Sequence, residues 1–333
     1  MGKTWAIFFA VNMIAMAALC FAAPAMGMWM PDGVSTHSAA VDFLFYVILW
    51  ITAFFFFLTE AVLIVFLWKY GCGCKEIVTG VPAFLKPIGG LIDTPHKIEM
   101  AWTIVPAAIL LYIAFAQVGT WASVKYQSRM KQLIGEDKMP VVIEVSARQF
   151  EWRMRYPSAE RFRDWLKNPT DADVKKDFDS FSRHPQADDV HVVNELHVFG
   201  NLVEADGVEK FQGNPVMVHL STRDVLHSFN LPQFRVKQDA VPGRVIPVWF
   251  TPTKYNTVKA KSGSRQMWLD GMGRNGKGEP EDKSLIWDIA CAELCGWGHW
   301  RMIGRVYVHS SQEDFLEWLE QAGKAEHSRT ATK

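Results

Sequence analysis

Two thiols, an imidazole and a thioether fall within one short stretch, Cys291-Ala-Glu-Leu-Cys295-Gly-Trp-Gly-His299-Trp-Arg-Met302. Thiolate and thioether donors select copper(I), zinc or iron–sulfur clusters over magnesium or calcium, and the methionine argues against zinc. Copper is the leading candidate. A second imidazole, His227, stands in Arg223-Asp-Val-Leu-His227-Ser-Phe-Asn-Leu-Pro232, between two β-like runs where a ligand could project from a loop. The competing reading is a disulfide, because the C-x3-C spacing of Cys291 and Cys295 is compatible with one. A disulfide gives His299 and Met302 no task, whereas a copper site uses both.

The elements that must hold these residues divide into a lipid part and a β part. The chain is 49% hydrophobic and carries 35 basic and 35 acidic residues, a balance that does not suggest nucleic-acid binding. Phe43 to Trp68 and Trp102 to Trp121 are apolar runs long enough to cross a hydrocarbon layer of about 30 Å. They predict a helical hairpin over 38–124. Lys69, Lys75, Lys86 and Lys97 between the spans place that connection in the cytoplasm and the remainder on the opposite side. The stretch before it, 1–25, reads as a signal peptide ending at Ala23-Pro-Ala25 or else as an extra transmembrane helix. Glu60 lies within the first span, where a charge is costly, and is expected to face protein. Glu99 lies at the cytoplasmic mouth of the second, where an acid also favours a helix start. Cys72 and Cys74 read as free thiols in a turn on the reducing side.

Beyond the spans, Val141–Val145, Val216–Leu220, Val245–Phe250, Leu285–Ala290 and Gly304–Val308 are rich in β-branched and aromatic residues, predicting a β-sandwich over 125–323. Ser311 to Glu320 reads as a short closing helix with Ser311 as N-cap, followed by a mobile polar tail over 324–333. Two insertions, near 157–189 with a helix-like run around Arg161 to Leu166 and near 254–284, read as solvated loops by default. One of them could contact a donor or neighbouring complex.

His227-Ser-Phe, then Lys237-Gln-Asp-Ala-Val-Pro-Gly-Arg244, then Cys-Ala-Glu-Leu-Cys-Gly-x-Gly-His-x-x-Met together resemble subunit II of the cytochrome c oxidases, from the spans near Phe43 to about Leu319. The resemblance implies a membrane-anchored all-β protein: an N-terminal transmembrane helical hairpin followed by a cupredoxin-like Greek-key β-sandwich with its ligands on loops at one end. It implies a dinuclear CuA centre, with Cys291 and Cys295 bridging, His227 and His299 binding one copper each, Met302 a weak ligand and Glu293 ligating through its carbonyl. It also implies a magnesium ion on the Glu293 carboxylate at the boundary with subunit I. Glu99, within E-x-x-W-T-x-x-P, would mark the entrance of the K proton pathway.

The implied protein is the electron-input subunit of a proton-pumping terminal oxidase in a bacterial inner membrane, multi-pass, with its C-terminal domain in the periplasm. Its partners would be subunits I and III, membrane lipid, and cytochrome c or a haem-bearing donor complex, with the haems and CuB on subunit I. The sequence departs from the family where electrons arrive: Ala147-Arg-Gln149-Phe150-Glu-Trp152 has Phe150 at the position of the usual tryptophan. Trp152, Trp297 and Trp300 join Phe150 as candidates, the last two equally suited to shielding the metal from water. No C-x-x-C-H motif is present, so the donor haem is on another chain. The alternatives are the small subunit of a CuA-containing nitric oxide reductase and a membrane-tethered copper carrier. A quinol-oxidase subunit would lack the copper ligands, and nitrous oxide reductase would carry propeller repeats.

Overall fold

The computed structural model describes residues 2–71, 95–125, 139–257 and 285–331. Cys72, Cys74 and nearly all of the second insertion lie outside them.

Three helices, α1 (Gly2–Ala25), α2 (Ser38–Tyr70) and α3 (Pro95–Lys125), are long and apolar enough to cross a membrane. The expected hairpin corresponds to α2 and α3, and α1 has the length of a further span. In lipid the backbone must satisfy its own polar groups, which a helix does internally. The hydroxyls inside these helices follow the same logic: Thr52, Thr59 and Thr103 donate to the carbonyls of Ile48, Phe55 and Glu99, four residues back, at 2.7–2.9 Å.

The other unit is a cupredoxin-like β-sandwich of two sheets. Its strands are β1 (Val141–Arg148), β2 (Glu151–Tyr156), β3 (Val190–Val193), β4 (Glu195–Ala205), β5 (Val208–Gly213), β6 (Val216–Thr222), β7 (His227–Leu231), β8 (Val236–Ala240), β9 (Ile246–Phe250), β10 (Trp287–Cys291) and β11 (Ile303–His309). One sheet runs β3-β2-β1-β6-β9 and the other β5-β4-β11-β10-β7-β8. The pairs β1/β6 and β4/β11 are parallel and the remaining pairs antiparallel. Every predicted strand is present. Six others, β2, β3, β4, β5, β7 and β8, are strands that composition did not single out, because polar residues such as Arg153, Arg155, Lys210 and Lys237 occupy their outward positions. Trp152, Phe229, Phe234, Phe250, Trp287 and Ile289 fill the space between the sheets and are fully buried or nearly so.

The first insertion contains the helix-like run expected around Arg161 to Leu166, but it is not a solvated loop. It folds into α4 (Ala159–Lys167) and α5 (Ala172–Ser180), capped by Ser158 and Asp171. Phe162, Trp165 and Phe181 are at most 1% exposed, and Phe162 packs on Phe199 of the sandwich and on Phe315 of the closing helix. The aromatic pair three residues apart on α4 supplies an apolar face that its high charge content conceals. A buried ion network fastens it: Arg155 bonds Asp189 at 2.5 Å, and Arg161 bonds Asp189 at 3.0 Å and Asp177 at 2.6 Å.

The closing helix α6 (Gln312–Ala331) also exceeds its predicted length and takes in most of the supposed tail. Ser311 caps it as expected, accepting the Asp314 N–H at 3.1 Å. Gly323 does not stop it, and Glu326 holds its later turns by accepting the His191 backbone N–H at 2.8 Å.

Candidate metal centre

Strand β10 is central in its sheet, between β11 and β7, and ends at Cys291. The chain then loops through Cys295, makes a single 3-10 turn at His299–Arg301, and re-enters the sheet at β11 directly after Met302. The loop's ends are tied by Cys291 N–H to the Met302 carbonyl at 3.2 Å and Ala292 N–H to the Ser228 carbonyl at 3.0 Å. All four candidate ligand residues of the motif are thereby held at one end of the sandwich. His227 reaches the same place differently from expectation. It does not project from a loop but is the first residue of β7, paired with Ala240 of β8. Sheet pairing therefore sets its direction, and it is fully buried.

The donor atoms converge. Cys291 Sγ lies 3.8 Å from Cys295 Sγ, 3.8 Å from His227 Nδ1 and 3.2 Å from the Glu293 carbonyl oxygen. Cys295 Sγ lies 3.6 Å from His299 Nδ1 and 3.9 Å from Met302 Sδ. The donor atoms of His227, Cys291 and Cys295 all fall within 4.8 Å of one another. Both thiols are free, so the disulfide reading does not describe this structure. Two sulfurs flanked by two ring nitrogens, a thioether and a carbonyl fit a soft metal such as copper.

Electrostatics prepares the site for a cation. Burial by itself raises the Cys291 thiol, but hydrogen bonds from His227, the Ser228 and Glu293 backbone N–H groups and His299 outweigh it and lower its pKa. Burial and the neighbouring Cys291 thiolate both push Cys295 up. Metal binding must therefore expel the Cys295 proton, which couples affinity to pH. Burial lowers the His227 ring, while Cys291 and Asp224 act against it and leave it raised.

Asp224 is the functional residue that motif reading missed. Its Oδ1 accepts from His227 Nε2 at 2.8 Å, turning Nδ1 toward Cys291, and its Oδ2 accepts the Gln149 backbone N–H at 2.7 Å. This carboxylate–histidine pairing fixes ring orientation and ligand basicity. An aspartate three residues before a candidate histidine was the available signal. Gln149, whose side chain donates to the Cys295 carbonyl at 2.5 Å, had none.

Glycine spacing in the loop also has a cause. Gly296 has φ +129°, a region that disfavours other residues, and a Cβ on Gly298 would sit 2.5 Å from the Phe150 ring. Phe150 thus packs directly beneath the loop and edge-on to Trp297, with ring centroids 5.4 Å apart. Trp297 and Trp300 are exposed. Trp152 is fully buried, with its ring centre 6.2 Å from that of His227. The Glu293 side chain points to solvent. Glu99 sits near the start of α3 and Glu60 within α2, in the membrane-type unit.

The family model "Cytochrome C oxidase subunit II, transmembrane domain" matches residues 23–118, and "Cytochrome C oxidase subunit II, periplasmic domain" matches 141–259, which contains His227. An alternative cytochrome c oxidase subunit 2 of Bradyrhizobium diazoefficiens is 27% identical over 54% of this chain and 50% of its own length, so the match spans about half of that relative. A cytochrome c oxidase subunit 2 of Thermostichus vulcanus is 23% identical over 88% of this chain and 78% of its own. The solved periplasmic domain of subunit II of a Bradyrhizobium japonicum cytochrome oxidase overlaps 57% of this chain and 99% of its own, at 19% identity and a TM-score of 0.34. With both family models matched in chain order, first on the membrane helices and then on the sandwich that gathers the soft donors, this chain belongs to the cytochrome c oxidase subunit II family, with transmembrane helices and a periplasmic domain.

Proposed function

We propose that the chain is the electron-input subunit of a terminal oxidase, receiving electrons from cytochrome c or a haem-bearing donor complex and passing them to haem in subunit I. The observation that carries this reading is the convergence of Cys291, Cys295, His227, His299 and Met302 at one end of the sandwich. Cys291 and Cys295 would bridge the coppers of a CuA centre, the two histidines would each hold one, and Met302 and the Glu293 carbonyl would be the weaker ligands. When bound, such a pair supplies a one-electron carrier whose charge is spread over two metals and two sulfurs. The protein's own share is positional: β7, β10 and β11 fix the donors, Asp224 fixes the His227 ring, and buried Met302 and Trp152 exclude water. Small structural change on gain or loss of an electron follows from so constrained a cage.

Oxygen reduction to water, coupled to proton pumping, belongs to subunit I with its haems and CuB; subunit III completes the complex. The Glu293 carboxylate, free of the ligand cluster and exposed, is the proposed magnesium ligand at that boundary. Glu99 at the start of α3 is the proposed entrance of the K pathway. The membrane is proposed to be the bacterial inner membrane, crossed by α2 and α3, with α1 a cleaved leader or a further span.

Electron paramagnetic resonance with copper counting on the purified protein tests the centre. Hyperfine structure delocalised over two coppers per chain is expected, and a mononuclear spectrum rejects it. A copper carrier would surrender its metal readily to a chelator, whereas this site should hold it through repeated redox cycles.

A further inference from the structure

We propose that the surface over the metal centre docks an electron donor whose own docking face is fringed with carboxylates. The proposal rests on the electron-input reading and adds the sign of the partner's charge. Leu294, Trp297 and Trp300, all on the ligand loop, are 78%, 76% and 74% exposed. A cluster of large apolar side chains left in water marks an interaction site. Trp297 is tied to the ligand shell through the backbone of the same loop, so a partner covering it lies close to Cys295 and His299.

Among the described residues, most of the charged groups around this patch are arginines. The Arg301 guanidinium lies 4.6 Å from the Trp297 ring centre and 5.6 Å from that of Phe150. On the β1–β2 hairpin, Arg148 and Arg153 share one carboxylate oxygen of Glu151, at 2.6 Å each, which leaves an excess positive charge on side chains still 44% and 42% exposed. Arg223 is exposed, and its backbone N–H bonds the Ala147 carbonyl at 3.1 Å, setting it beside that hairpin. The nearby carboxylates are mostly occupied: Glu151 by its two arginines and Asp224 by His227 and backbone N–H groups. Glu293 is the exposed acid of the ligand loop. Guanidinium groups pair with carboxylates in forked geometry and repel a lysine-fringed surface, so this rim selects an acidic partner. The apolar centre would cover the edge of the donor's haem, from which one electron passes with no bond made or broken.

The experiment uses the intact purified oxidase and two probes: a lysine-rich mitochondrial-type cytochrome c, and the same cytochrome after succinylation of its lysines, which inverts its charge around an unchanged haem. Each oxidation rate is divided by that of a small neutral phenylenediamine in the same preparation. At low ionic strength the succinylated form is expected to be oxidised about tenfold faster, the advantage shrinking as salt rises. Arg148→Glu with Arg223→Glu should invert the ratio, and the corresponding glutamine pair should bring it near one. If the wild type oxidises the lysine-rich form as fast or faster, or the charge-reversed variant keeps the wild-type ratio, the docking proposal is overturned while diamine oxidation leaves the electron-input reading standing. If the diamine is not oxidised either, both fall.

Discussion

Replacing Asp224 by asparagine isolates what the carboxylate contributes to the centre. The amide keeps an oxygen that can accept from His227 Nε2, so shape is conserved, but the charge is lost and an NH2 group now faces the Gln149 N–H that Oδ2 accepts at 2.7 Å. A hydrogen bond to a charged group is worth about 1.5–3 kcal/mol. The Asp224 side chain is 31% exposed, so water screens part of this and can solvate the freed N–H. About 1–2 kcal/mol remains, which corresponds to roughly a 5- to 30-fold loss of copper affinity. Equilibrium competition with a chromophoric copper chelator at fixed pH measures it, with circular dichroism to establish that the sandwich is intact. A folded Asp224→Asn protein that retains copper within twofold of the wild type would refute the orienting role. Asp224→Ala should cost more, because His227 Nε2 then loses its acceptor altogether.

The loop glycine offers a packing test. Gly298→Ala drives a methyl group into the Phe150 ring, at a cost of about 1–3 kcal/mol in denaturant unfolding, and Phe150→Ala in the same chain should relieve the clash and show strong non-additivity. Purely additive effects would mean that the contact does not constrain the loop. Removing the Arg155 side chain as Arg155→Ala takes one of two guanidinium partners from buried Asp189, leaving Arg161, and should destabilise by about 1.5–3 kcal/mol, read as a fall in unfolding midpoint. The first insertion should also respond to acid. Burial raises the Asp177 carboxyl, but hydrogen bonds from Arg161 and Trp165 and the Arg161 charge hold it below the usual carboxylate range. A pKa lower in the folded than in the unfolded state gives stability that is complete above the unfolded value of about 4 and is lost as pH falls through the folded one. Asp177→Asn should therefore flatten the stability-versus-pH curve on the acid side, and an unchanged slope would contradict the assignment.

Local pattern carried the metal chemistry because ligand type and spacing are properties of the chain itself. Cys291, Cys295, His299 and Met302 occupy one loop, and no long-range packing was needed to see that their donors could meet. The apolar spans were legible for a similar reason: lipid requires one continuous run of residues, whatever the rest of the chain does. In the first insertion the helix was legible but its packing was not, since α4 is mostly charged and its Phe162 shows its use only against Phe199 and Phe315, far along the chain. Helix α6 was under-read because Gly323 resembles a stop until the helix is seen held by Glu326 against His191.

The sequence by itself determined the donor set, the membrane-spanning helices and the β-rich character of the exported domain, all of which depend on residue identity at short separation. Only the tertiary structure decided that His227 starts a strand, that Asp224 orients it, that Gln149 bonds the ligand loop and that Trp152 is buried beside the His227 ring. Those outcomes depend on which strands become neighbours, and strand pairing is set by burial across the whole sandwich, which no window along the chain contains.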